Sequence, residues 1–312
     1  MHDKRHSHPS SSTHLHAHRA GDALHHHVST NRDPRVLGWS VVLTLLFAAV
    51  EAAAGFWSNS LALISDAGHM LTDSTALGLA LLAQHIARRP PSAKHSFGFG
   101  RAEALAAFIN ALAMLVLVGW IAFEAIQRFN DPMPVKGVAV FVVALIGLAV
   151  NLVVAWLLSH DKESVNTRAA LVHVLGDLLG SVAAIIAGAV IYLTGWLPID
   201  PLLSLAVSLL ILKSTVSVLR ESYHFLMEGV PHHIDYLQVG ADLSAIAGVL
   251  SVHDLHVWEM TPGEPALIGH VEIRELREWP QVLQSIRDML RERHGIDHVT
   301  LQPELSRMAE GC

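Results

Sequence analysis

Residues 36–87 read VLGWSVVLTLLFAAVEAAAGFWSNSLALISDAGHMLTDSTALGLALLAQHIA, 52 residues without a lysine or an arginine. A helix crossing a bilayer needs about 20 mostly apolar residues. The stretch is long enough for two crossings, and the polar break Trp57-Ser58-Asn59-Ser60 divides it. Three more stretches lack Lys and Arg: 26 residues between Arg101 and Arg128, 25 between Lys136 and Lys162, and 44 between Arg168 and Lys213. The last holds two crossings, split at Gly195-Trp196-Leu197-Pro198. The spacing predicts six transmembrane helices near residues 36–57, 61–87, 102–127, 137–158, 169–193 and 200–219.

The rest of the chain agrees with this reading. Of 312 residues, 52% are hydrophobic and 16% charged, against about 25% charged in a soluble domain. The single cysteine, Cys312, excludes an internal disulfide framework and a Cys-based zinc ribbon. The net charge of −7 offers no basic surface for nucleic acid. Twenty-two histidines point to metal as a ligand, and nine of them precede Val28.

Positive charges fall on one side of the ladder. Lys4, Arg5, Arg19, Arg32 and Arg35 precede the first span; Arg88, Arg89, Lys94 and Arg101 join the second to the third; Lys162 and Arg168 join the fourth to the fifth. The opposite loops carry only Arg128 and Lys136. By the positive-inside rule both termini are expected in the cytoplasm. Residues 1–35 lack the apolar core of a signal peptide and read as a solvated, disordered His-rich tail. The six-helix membrane domain is then expected over 36–220.

Composition changes from Glu221 onward: 15 acids against six arginines and no lysine, a net of −9. Period-3.6 apolar patterning marks residues 235–249 and 279–294 as helices. Residues 250–259 and 266–274 are β-rich and joined by Thr-Pro-Gly-Glu-Pro, a hairpin, and a last strand fits 298–302. Residues 221–312 are therefore expected to form a small cytoplasmic α+β domain.

Ionisable groups inside a span cost roughly 2.5–3.5 kcal/mol each and mark function. In the second span Asp66, His69 and Asp73 lie three and four residues apart, on one helical face. His173 and Asp177 repeat the His-x-x-x-Asp spacing in the fifth. Two helices each offering an imidazole and a carboxylate supply four ligands, the number and donor type that zinc favours. Asp66 serves equally as a proton-handling or auxiliary group, and Glu51 and Glu124 as pathway or interface groups. Imidazole suits Zn²⁺, Co²⁺ and Ni²⁺ over Mg²⁺ or Ca²⁺.

These stretches resemble the cation diffusion facilitator family, and within it the cobalt–zinc–cadmium efflux subgroup. The matching residues are 60–74 (SLALISDAGHMLTDS), 96–110 (SFGFGRAEALAAFIN), 166–177 (NTRAALVHVLGD), 227–231 (MEGVP) and 252–258 (VHDLHVW), within a likeness running from about 36 to 305. The resemblance implies a homodimeric metal/proton antiporter of a bacterial cytoplasmic membrane. It would export Zn²⁺, with Co²⁺ and Cd²⁺ as further cargo, through His69, Asp73, His173 and Asp177. It implies a ferredoxin-like, metallochaperone-like C-terminal domain. It also implies an interdomain charge pair, Arg101 with Glu228. His253, His270 and Glu304 match a regulatory zinc site that a His-rich N-terminal motif of the partner chain completes; His25, His26 and His27 fit that part. His256, three residues from His253 in the same strand, is expected on the opposite face. A loop metal site of some relatives is expected to be missing, since Ser92 and Phe99 replace two ligands and only His95 survives.

Two other readings are open. A membrane-bound metal sensor or buffer would use the terminal sites without transport. A zinc hydrolase would leave a coordination position to water, which four ligands argue against, so an enzyme is not expected.

Overall fold

The computed structural model describes the backbone of residues 34–159 and 165–306, with side chains over 42–154, 156 and 176–306. Of the tail expected over residues 1–35, residues 1–33, with His25, His26 and His27, lie outside the described residues, while Pro34 and Arg35 open a helix; the side chain of His173 also lies outside them.

Six long helices lead: α1 (Pro34–Ser58), α2 (Leu61–Ala87), α3 (Ala102–Asn130), α4 (Gly137–Ser159), α5 (Val165–Thr194) and α6 (Ile199–Leu226). At about 1.5 Å per residue the 29 residues of α3 reach about 43 Å, beyond the roughly 30 Å of a bilayer core. Four stretches, Ala102–Asn130, Gly137–Val154, Gly176–Thr194 and Ile199–Leu226, are each long and apolar enough to cross a membrane. The apolar described part of α1, Val42–Ser58, is shorter. Within α2 the apolar run is interrupted by Asp66 and Asp73. Burial is inverted relative to a water-soluble protein. Leu46, Val116, Phe123, Trp156 and Leu193 face outward, whereas Glu51, Asp66, Asp177 and Asp200 are buried. Lipid accepts the first set, and polar side chains must be satisfied among helices.

The expected ends shift most at three helices: the one expected over 235–249 spans only Tyr236–Ser244, five residues short, and Val249 opens a strand instead. The α6 helix continues seven residues past 219 to Leu226, and α5 begins at Val165 rather than 169. Lys213, Arg220 and Glu221 end an apolar span, but a helix is free to run on into water.

The α1–α2 corner is tightly tied. Asn59 takes a left-handed φ of 58°, and Ser60 caps α2 by accepting from the Leu63 N–H at 3.3 Å. The carboxyl of Asp200, buried at the start of α6, accepts from Ser60 Oγ at 2.5 Å, Leu61 N at 2.6 Å and Ala62 N at 3.4 Å. A helix N-terminus leaves its first N–H groups unpaired, and here an acid from another helix satisfies them. Arg128 on α3 donates to Asn59 O at 2.5 Å and to Glu124 at 2.8 Å. One end of α2 is thus fixed to α3 and α6.

The C-terminal domain runs α7 (Tyr236–Ser244), β1 (Val249–Thr261), β2 (Glu264–Ile273), α8 (Trp279–His294), β3 (His298–Leu305), with a 3₁₀ turn at Leu276–Glu278. The sheet order is β1-β2-β3, antiparallel in the first pair and parallel in the second. This is a ferredoxin-like unit with one strand fewer than the full βαββαβ. Val239 and Leu243 of α7, Ile286 and Leu290 of α8, and Leu255, Val257, Leu267 and Val271 of the sheet form its core. The opposite sheet face is mixed, with His270 and Glu272 on the same side as the exposed Ile268.

A bulge corrects one expectation. His253 pairs with His270 and His256 with Ile268, three residues on β1 against two on β2. The extra residue is absorbed where Asp254 takes a φ of 47°. Because a bulge shifts side-chain parity, His256 faces away from the core like His253, not oppositely. The inward position between them is Leu255.

Candidate metal sites

The 3.6-residue period of α2 sets His69 and Asp73 one turn apart on one face. Helix α5 brings Asp177 to them. His69 Nε2 lies 3.4 Å from Asp73 Oδ2 and 3.8 Å from Asp177 Oδ1, and one ligand atom from each residue lies within 4.8 Å of the others. Bonds of about 2.0–2.1 Å in a tetrahedron put neighbouring donors about 3.3 Å apart. The spacing therefore suits an ion of zinc's size after small adjustments. Asp177 is buried, and His69 and Asp73 are partly open. His173 belongs to the same helix as Asp177, one turn earlier.

Asp66, Glu51, Ser65, Ser181 and Asn151 are also buried. Gly180 on α5 makes room for Asp66, since a Cβ there would lie 3.0 Å from Asp66 Cγ. Glu124 does not join them; it pairs with Arg128 at 2.8 Å, near the α1–α2 corner.

The second cluster is built by the sheet. Register places His253 against His270 on β1 and β2, with Glu304 reaching both from β3. His253 Nε2 is 3.2 Å from Glu304 Oε2, and His270 Nδ1 is 2.9 Å from Glu304 Oε1. The imidazole rings meet edge-on at 5.3 Å. Two imidazoles and a carboxylate are a donor set suited to zinc. Asp254, which sequence reasoning passed over, sits 3.9 Å from His270. Its bulge conformation, invisible in the residue spacing, turns it that way. Beside the cluster, hydrogen bonds from Ser251 (2.7 Å) and Ser306 hold the Glu272 carboxyl below its ordinary pKa, with His253 adding to the effect.

Arg101 and Glu228 meet at 2.8 Å, with both side chains largely in solvent. An exposed pair is worth about 0–1 kcal/mol, so it orients more than it stabilises. The pair walls a cleft of about 870 Å³ between the α2–α3 loop and the sheet, which Lys94, His95, His256 and Trp258 also line. His256 opens onto this cleft and stands apart from the histidine–glutamate cluster. His95 packs on Phe99, ring centroids 4.5 Å apart.

Asp200 was also missed. Attention to missing cations says nothing of an acid at a helix start, and its partner Ser60 lies 140 residues away.

Comparison with known proteins places both parts. Residues 38–227 match the cation efflux transmembrane domain, and residues 231–306 match the cytoplasmic domain of cation efflux proteins. The zinc transporter ZitB of Pectobacterium atrosepticum is 43% identical over 287 residues, covering 91% of this chain and 89% of that protein. A cadmium, cobalt and zinc/H(+)-K(+) antiporter of Bacillus subtilis is 39% identical, covering 89% of this chain and 91% of its own. The metal cation efflux system protein CzcD of Cupriavidus metallidurans is 39% identical, with 91% and 90% covered. With both domains matched and most of each relative's length covered, the chain belongs to the cation efflux family, the cation diffusion facilitators.

Proposed function

We propose that this protein exports Zn²⁺ from the cytoplasm in exchange for protons, with Co²⁺ and Cd²⁺ as further cargo. The observation that carries the reading is the convergence of His69, Asp73 and Asp177 from two helices. His173 would complete the four donors. Zn²⁺ enters from the cytoplasmic side and replaces protons on these groups, since metal ligands must be deprotonated. Rocking of the helices opens the site outward. Protons then displace the ion and return inward. Histidine suits the exchange because its ordinary pKa, about 6.5, lies in the physiological range.

The membrane is the bacterial cytoplasmic membrane, with both termini inside. The functional unit is a homodimer, joined at least in part through residues 221–312. His253, His270 and Glu304 hold a regulatory zinc there, with His25, His26 and His27 as added ligands. Arg101 and Glu228 couple that domain to the helices. A zinc bound in this cluster would supply charge neutralisation across three strands; the chain's own part is to present the donors at 2.9–3.2 Å.

The exposed His253 cluster also favours a second reading, a membrane-bound sensor or buffer without transport. The test separates the two. Purified chain in pH-gradient liposomes should take up Zn²⁺, and Asp73→Ala or Asp177→Ala should abolish uptake while the protein stays inserted. Wild-type flux in either variant would sink the site, and no flux in the parent would favour the sensor.

A further inference from the structure

Within the membrane trio the two measured separations have different origins. His69 and Asp73 are 3.4 Å apart because one turn of α2 separates them. The 3.8 Å between His69 and Asp177 crosses from α2 to α5 and is set by packing. A helix period does not adjust to its cargo. Discrimination between ions of different radius therefore acts through the second separation.

A contact one turn from the donors touches both helices. Asp66 lies three residues before His69 on α2, and Gly180 three residues after Asp177 on α5. Each shares the face of its helix with those donors. The α5 backbone at Gly180 lies against the Asp66 carboxyl: a Cβ there would be 3.0 Å from Asp66 Cγ and 3.3 Å from Oδ2, and would collide with Oδ1. Asp66 is short and 3% exposed, with little room to turn aside. Both helices are also held from behind. On α5, Ser181 accepts from Asn151 Nδ2 of α4 at 3.3 Å, and a Cβ on Gly188 would lie 2.6 Å from Phe141 N. On α2, a Cβ on Gly68 would lie 3.1 Å from Leu117 Cδ1 of α3.

We propose that the contact of the Asp66 carboxyl with the Gly180 backbone is the steric stop that sets the α2–α5 separation, and through it the radius of ion the site prefers. The proposal rests on the transport-site reading above. Gly180 and Asp66 act here as positioning residues, through His69 and Asp177 rather than on the ion. Tetrahedral zinc asks for neighbouring donors about 3.3 Å apart, and 3.8 Å closes to that with a small inward movement. A methyl group at residue 180 would need about 0.5–1 Å more room to reach an ordinary carbon contact with Asp66. Overpacking of this kind displaces backbone. Asp177 then moves away from His69, which favours a larger divalent ion such as Cd²⁺ over Zn²⁺.

The test measures Zn²⁺ and Cd²⁺ binding by the detergent-purified full chain in calorimetry, with the heat that persists in Asp177→Ala subtracted as binding elsewhere. Gly180→Ala should bind Zn²⁺ about tenfold more weakly and lose less for Cd²⁺, so the preference for Zn²⁺ falls. Asp66→Glu pushes on the same contact from α2 and should shift the preference the same way. In an Asp66→Ala background, Gly180→Ala should leave the preference where Asp66→Ala alone puts it, because nothing remains to strike. An unchanged preference in Gly180→Ala, or an equal loss for both metals, overturns the proposal. So does a shift that persists in the Asp66→Ala background. If Gly180→Ala fails to insert, Asp66→Glu decides by the same criterion. A parent whose Zn²⁺ heat equals that of Asp177→Ala would instead overturn the transport-site reading.

Discussion

Replacing Asp200 by alanine removes the acceptor that holds the start of α2. In the folded protein its carboxyl takes Ser60 Oγ at 2.5 Å, Leu61 N at 2.6 Å and Ala62 N at 3.4 Å. Leu61 and Ser60 are both 0% exposed, so water cannot replace the lost acceptor without opening the corner. A stranded buried donor costs about 1–3 kcal/mol. The Leu61 N–H is stranded outright, the Ser60 hydroxyl can turn in part, and the 3.4 Å bond adds little. Removing the carboxyl also removes its own desolvation cost, an offset of about 1 kcal/mol or more. The net expected loss is about 1–3 kcal/mol. Thermal unfolding of the detergent-purified chain should show it as a drop of several degrees. Asp200→Asn keeps one acceptor oxygen and should lose about half as much. Because His69 lies eight residues along α2, about 12 Å from the cap, Zn²⁺ flux should fall in Asp200→Ala although no ligand is touched. An Asp200→Ala protein that melts with the parent would refute the capping argument. Equal melting with full flux would also remove Asp200 from any part in positioning α2.

His253→Ala should remove one ligand of the sheet cluster and weaken that zinc site by about tenfold or more, while transport falls only in part. Calorimetry of the full chain checks this, and an unchanged zinc stoichiometry would count against the cluster. His69→Asp makes the membrane site harder and more anionic, so vesicle uptake should shift from Zn²⁺ toward Mn²⁺. An active variant with the parent's metal ratio would mean that His69 does not touch the ion.

The crossings were legible in the chain because a cation within the hydrocarbon is costly, and its absence over 26 or 44 residues is hard to explain otherwise. Placing His69 and Asp73 on one face needs only the period of α2, and ordering the C-terminal elements needs only local patterning. Helix ends were less legible: α6 outruns its apolar span to Leu226 because charge stops a membrane crossing, not a helix.

What only the tertiary structure decided are relations between distant residues, which spacing along one segment does not encode. The approach of Asp177 to His69 at 3.8 Å depends on how α5 packs on α2. The Asp200 cap joins residues about 140 apart. His256 shows the same limit within one strand. Alternation assigns it the wrong face, because one bulged residue at Asp254 inverts the parity of all that follow.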